Sequence, residues 1–134
     1  MTNPNRRTID IRSEQGQSLT EFALALPVLA LLLFAVIQFG IVFNNYVTLT
    51  DATRAGARKA AVGRQLSNPK AATEQAVRNS AQDLKQGSLN VRVSSTWQPG
   101  ADVAVTATYP YSISLLGMVV KTGSLSSTTT ERVE

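Results

Sequence analysis

The stretch that decides the fold is Gln17-Ser18-Leu19-Thr20-Glu21 and the run after it, FALALPVLALLLFAVIQFGIVF, Phe22 to Phe43. The run holds 22 residues without a formal charge, and only Pro27 and Gln38 interrupt its hydrocarbon character. At about 1.5 Å per residue it covers roughly 33 Å, enough for a hydrocarbon core of about 30 Å. In water that surface would need burial on every side, and the rest of the chain has too little apolar sequence to provide it. The run therefore reads as a membrane span. A short polar lead-in precedes it, and the residues beyond Phe43 make a small domain.

Composition narrows the function. The chain has 134 residues with no Cys and no His. That removes disulfides, thiolate nucleophiles and the commonest neutral-pH acid–base and metal ligand together. The nine carboxylates are scattered singly, without a spacing suited to acid–base pairs or calcium loops. An isolated Ser with Lys59 or Lys70 is all that is left for a nucleophile–base pair, and nothing in the local sequence singles one out. An enzyme is not expected, nor a cofactor, a metal or a small-molecule substrate. The net charge of +4 comes from basic residues that form no run, which reads as surface charge and membrane-flanking charge, not as a nucleic-acid footprint.

Residues 1–16 carry Arg6, Arg7 and Arg12, lack apolar periodicity and end on Gly16, so no stable structure is expected there. An ordinary secretory signal has an apolar core of about 7–15 residues and, soon after it, a small-x-small cleavage site. Here the core is too long, and the only candidate site, Ala55-Gly56-Ala57, lies far beyond it. Ser18-x-x-Glu21 also reads as a capping box, with Glu21 a carboxylate at a positive helix end.

Gly16 to Glu21 resembles a class III signal, the kind cut by prepilin peptidases: a basic leader ending in Gly16, a mature chain starting at Gln17, and Glu21 as its fifth residue. Further along, Glu21-Phe22-Ala23-Leu24-Ala25-Leu26-Pro27, Gln38-Phe39-Gly40 and Ala52-Thr53-Arg54-Ala55-Gly56-Ala57-Arg58 resemble the TadE-like family. These are pilin-like membrane proteins of tight-adherence (Flp-type) pilus systems, whose members commonly carry EFALVLP, FGxxEFG and ARAGAR. The resemblance covers residues 16–64. Gln38 departs from it, since many members have a second acidic residue there; Gln keeps hydrogen-bonding capacity without the cost of a charge in the span.

The resemblance implies a structural subunit, a minor pilin or pseudopilin, cleaved after Gly16 and anchored by a single-pass helix with its N-terminus in the cytoplasm. Lys and Arg lie on both sides of the run and do not decide that orientation. The implied partners are the membrane, a prepilin peptidase, other pilin-like subunits and the assembly machinery of an adhesion pilus. Glu21 would neutralise the new N-terminal amine of a neighbour. An uncleaved single-pass anchor of an envelope complex is the alternative.

The expected architecture is α+β: a leader (1–16), a long helix (17–64, transmembrane over 22–43) and an extracytoplasmic domain (65–134) with a second helix and a three-stranded antiparallel sheet. Pro27 is either a flexible point for packing in a filament or an incidental kink. Small residues recur along the helix at Gly40, Asn44, Thr48, Ala52, Gly56 and Ala60, facing either another subunit's helix or the protein's own sheet. Asp51 and Arg54 are expected to form a weak solvated pair. Asn68-Pro69 starts the second helix, predicted to run to Gln86 and stop at Gly87, with Glu74 and Arg78 paired.

From residue 88 the period becomes two. Leu89 to Trp97 and Val103 to Tyr109 read as strands joined by a type II turn at Gln98-Pro99-Gly100-Ala101. Pro110 marks either the end of the second strand or an edge. Ser124 to Val133 is the third strand; this end of the chain loosely resembles TadE-like C-terminal regions. Between the last two strands, Ile113, Leu115, Leu116, Met118, Val119 and Val120 form an apolar loop that either folds on the core or meets a membrane surface or neighbouring subunit.

Overall fold

The computed structural model describes the backbone of residues 11–115 and 117–134, and the side chains from Gly16 onward within that range. The elements are α1 (Ile11–Ala61), α2 (Pro69–Ser80), β1 (Asn90–Ser95), β2 (Asp102–Leu115) and β3 (Met118–Arg132). The sheet is antiparallel with order β1-β2-β3, so β2 is central. This is the α+β arrangement expected. The chain divides into two compact units, with the boundary between Ile37 and Gln38.

Helix α1 starts earlier than expected. Residues 11–16 are helical, where the sequence predicts no stable structure; residues 1–10 of the leader lie outside the described residues. The physical reason is propagation: once the run is helical, each added residue gains a backbone bond without a new nucleation cost. Ile11 to Gln15 contains neither Pro nor Gly to stop it. Consequently Ser18 lies within the helix and is not its N-cap. At the other end α1 stops at Ala61, three residues short of the expected Arg64, with Gly63 N–H donating back to Ala60 O (3.0 Å). The backbone N–H of Glu134 donates to Ala61 O (2.9 Å), satisfying one carbonyl that a helix end leaves without a partner.

Helix α2 begins as expected: Asn68 Oδ1 accepts from Ala71 N–H (3.0 Å), with Pro69 at the first position. It ends at Ser80, not Gln86. The residues beyond fold into successive turns held by the Gln86 amide, which donates to Ala81 O (2.7 Å) and Leu84 O (3.2 Å). Arg78 Nη1 donates to Gln86 O (3.1 Å) in place of the expected Glu74 pair, while Asp51 and Arg54 do meet at 3.5 Å, both well exposed.

The type II turn forms as predicted, with Ala101 N–H on Gln98 O (3.0 Å) and Gly100 at φ 78, a conformation that favours glycine. The expected apolar loop does not exist as a loop. β2 continues through Pro110 to Leu115, and β3 starts at Met118, so these residues are the tip of a long hairpin. Pro110 is tolerated because β1 pairs with β2 only as far as Thr108; beyond that point one side of β2 is open. Leu116 lies outside the described residues.

The core belongs to residues 38–134. Leu49, Ala52, Ala57 and Ala60 of α1 pack with Val77, Ala81, Leu84, Leu89, Val103, Val105, Ala107 and Val133. It is rich in alanine, so the helices sit close to the sheet and tolerate little added volume.

Candidate assembly surface

At the start of the apolar helix, Gln17 Nε2 donates to Glu21 Oε1 (3.0 Å) and Thr20 Oγ1 donates to Gly16 O (2.9 Å), both exposed. A Cβ placed on Gly16 would meet nothing within 4 Å. The bond between Gly16 and Gln17 thus lies in open surroundings, but inside a helical stretch. Between Phe22 and Phe43 most of the large apolar side chains stand in the open: Leu24 is 73% exposed, Val36 69% and Phe39 69%. Helix α1 is long and apolar enough to cross a membrane, and none of its apolar window is buried within the molecule. Pro27 lies inside α1, which is continuous through it.

The small-residue stripe divides in two. Gly40 is exposed, and a Cβ there would meet nothing within 4 Å. Ala52, Gly56 and Ala60 are buried within their own domain. A Cβ on Gly56 would collide with Val77 Cγ2 of α2 and approach Val105 Cγ1 of β2 to 3.3 Å. In the segment Ala52 to Arg58 the side pointing inward is Ala52, Thr53, Gly56 and Ala57, and the exposed side carries Arg54 and Arg58. This i, i+1, i+4, i+5 spacing is one helix face laid on a domain.

Thr53 is a structural link within the domain that the sequence pattern does not reveal. It is fully buried, and its hydroxyl donates to Thr50 O (2.8 Å). That uses its only proton, so it accepts from Thr129 Oγ1 (3.1 Å) and from Ser127 Oγ (3.2 Å) of β3. One hydroxyl stitches α1 to the far strand. Its only signal in the sequence is its place between Ala52 and Gly56. Thr53→Val should lower domain stability by about 1–3 kcal/mol, because two strand hydroxyls lose their shared acceptor. Thermal unfolding in detergent, monitored through Trp97, the single tryptophan, which packs on the core, measures it.

Gln38, in the last quarter of the apolar run, donates from Nε2 to Ser114 O (3.2 Å) on the hairpin. A register shift between Ile113 and Ser114 falls at the same place. Leu115 is half-buried, whereas Met118, Val119 and Val120 are 69%, 63% and 66% exposed. Among the described residues no group of three or more carboxylates, His or Cys is placed to hold a metal.

Residues 16–58 match the family model of the TadE-like proteins. No curated protein and no solved structure matches. The match opens on Gly16 and closes on Arg58, the last residue of the motif whose inner face packs on the sheet domain. It is a structural rather than an enzymatic family. Over residues 16–58, the segment that carries the apolar run and the buried motif after it, the chain is therefore similar to the TadE-like proteins, a family that suggests a pilin-like component of a tight-adherence pilus system.

Proposed function

We propose that this chain is a minor pilin or pseudopilin, held in the cytoplasmic membrane with its N-terminus inside and cut between Gly16 and Gln17 by a prepilin peptidase. The apolar face of α1 then joins other pilin-like subunits, and the part of the chain beyond Phe43 stands outside the membrane as the head of a minor or initiating subunit. The observation that carries this reading is that the TadE-like match begins on Gly16, within α1 and just ahead of the apolar run, whose side chains are largely unburied. The work of such a protein is association: helix packing and, at Glu21, charge pairing.

Intact mass and N-terminal sequencing of membrane-extracted protein, from hosts with and without the peptidase, test it. The expected mature chain begins at Gln17, and Gly16→Leu is expected to abolish cutting while leaving insertion unchanged. A chain that keeps residues 1–16 in both hosts would sink processing. One observation favours that second reading, an uncleaved anchor: α1 runs unbroken across Gly16, so the scissile bond must first leave the helix. Gly is the residue that lowers that cost, by about 1 kcal/mol relative to Ala.

A further inference from the structure

We infer that the tip of the β2–β3 hairpin, with Leu115 on one strand and Met118 to Val120 on the other, is a second membrane contact that seats in the lipid interface. The inference rests on reading residues 22–43 as the span. Hydrogen bonds at both ends and a shared groove between them fix the direction of the hairpin along α1. Ser127 and Thr129 of β3 meet Thr53. A groove further down is lined by Val42 and Asn45 of the helix and by Pro110, Tyr111 and Thr122 of the hairpin. At the end, Ser114 O accepts from Gln38. From Thr53 to Gln38 the helix descends roughly 22 Å, and from Ser127 to Val119 the strand descends about 26 Å. The hairpin therefore lies alongside the helix and reaches residue 38, which is about 7.5 Å inside the apolar run ending at Phe43.

The chemistry of the tip suits that depth. Met118, Val119 and Val120 are consecutive, apolar and more than 60% exposed, at the place where a soluble hairpin would carry polar turn residues. Lys121 comes directly after them, placed for a headgroup. Tyr46, 43% exposed and one turn beyond Phe43, is the residue type enriched at membrane–water boundaries. An open strand edge is not tolerated in hydrocarbon, where each free backbone group is costly. The Gln38 amide removes one such group by taking the Ser114 carbonyl. The tip thus belongs at the interface, with its side chains dipping and its backbone near the headgroups.

The absence of Cys gives a clean background for the test. The full chain, labelled with an environment-sensitive fluorophore at Leu32→Cys, Val119→Cys or Ser126→Cys, is reconstituted in phosphatidylethanolamine–phosphatidylglycerol vesicles. Lipids spin-labelled at shallow and at deep acyl positions, and aqueous iodide, serve as quenchers. Expected is lipid quenching at both Leu32 and Val119, with Val119 protected from iodide several-fold relative to Ser126. Met118→Asp with Val120→Asp should return Val119 to iodide while Leu32 stays quenched by lipid. If Leu32 is quenched by lipid but Val119 is open to iodide, the tip is in water and the inference fails. Protection of Val119 from both quenchers would assign the tip to a protein neighbour and overturn it equally. Loss of lipid quenching at Leu32 would overturn the span reading itself.

Discussion

Gly56→Leu should prevent the domain of residues 38–134 from folding, and Gly56→Ala should weaken it measurably. A Cβ at this position collides with Val77 Cγ2, and the neighbours Val77, Val105 and Thr73 are all fully buried. Val77 cannot turn away, because a β-branched side chain in a helix has essentially one rotamer. Two effects oppose each other in the alanine variant. Removing a mid-helix glycine gains about 1 kcal/mol, while overpacking a dense core costs about 1–3 kcal/mol. The second wins where no neighbour can move, so the net change is a loss. Leucine adds three more carbons to the same overlap, and a small alanine-rich core has no slack to take them. Gly40→Ala is the matching control: nothing lies within 4 Å, so stability should hold or rise. Trp97 fluorescence against temperature, in detergent, reads all three. If Gly56→Leu melted like the parent chain, Gly56 would not pack within its own domain, and its place in the stripe would have to serve another subunit.

The elements governed by local chemistry are legible in the sequence. The charge-free run, the Asn68-Pro69 helix start and the Gln98 to Ala101 turn each depend on residues within a few positions of one another, and each appears where expected. The departures share a cause: a distant partner overrides a local preference. Ala81 to Leu84 are adequate helix formers, yet α2 stops before them because Gln86 caps their carbonyls and Tyr109 Oη accepts from Lys85 N–H (3.3 Å). Pro110 resembles a strand end only while the length of β1 is unknown; because β1 stops pairing at Thr108, the proline falls on an open side.

The apolar stretch after Pro110 departs from its expected loop for the same reason. Its hydrophobicity is plain, but whether Met118 to Val120 turn inward depends on β3 being fifteen residues long, which Ser- and Thr-rich text does not announce. Of the candidate site, the positions at Gly16, Glu21 and Gln38 are identifiable by residue type. What Gln38 touches is not: its partner lies 76 residues away. Thr53 is hidden because a single buried threonine carries no periodic signal.

Glu21→Ala should leave the isolated chain almost unchanged and yet abolish filament assembly. In the uncut helix Glu21 accepts one exposed hydrogen bond from Gln17, four residues earlier. Such a pair contributes about 0.2–0.5 kcal/mol, so insertion and folding should not respond. Under the proposed function its circumstances change after cleavage. Gln17 becomes the first residue with a free amine, and in a filament Glu21 meets such an amine away from water. Removing one partner of a buried ion pair costs about 3–5 kcal/mol, because the other charge stays buried and alone. At about 1.4 kcal/mol per factor of ten, subunit addition should weaken by roughly 10²–10⁴-fold. Glu21→Gln separates the two readings of this residue. Glutamine has the size and acceptor to serve as a helix-start cap but carries no charge, so ion pairing predicts that it fails like alanine, and capping predicts that it assembles. The measurement is the ratio of sheared surface pilus to mature membrane-bound subunit, since equal pools of mature protein show that processing was untouched. A Glu21→Ala strain with normal pili would remove charge pairing from the mechanism and leave assembly to the apolar helix face alone.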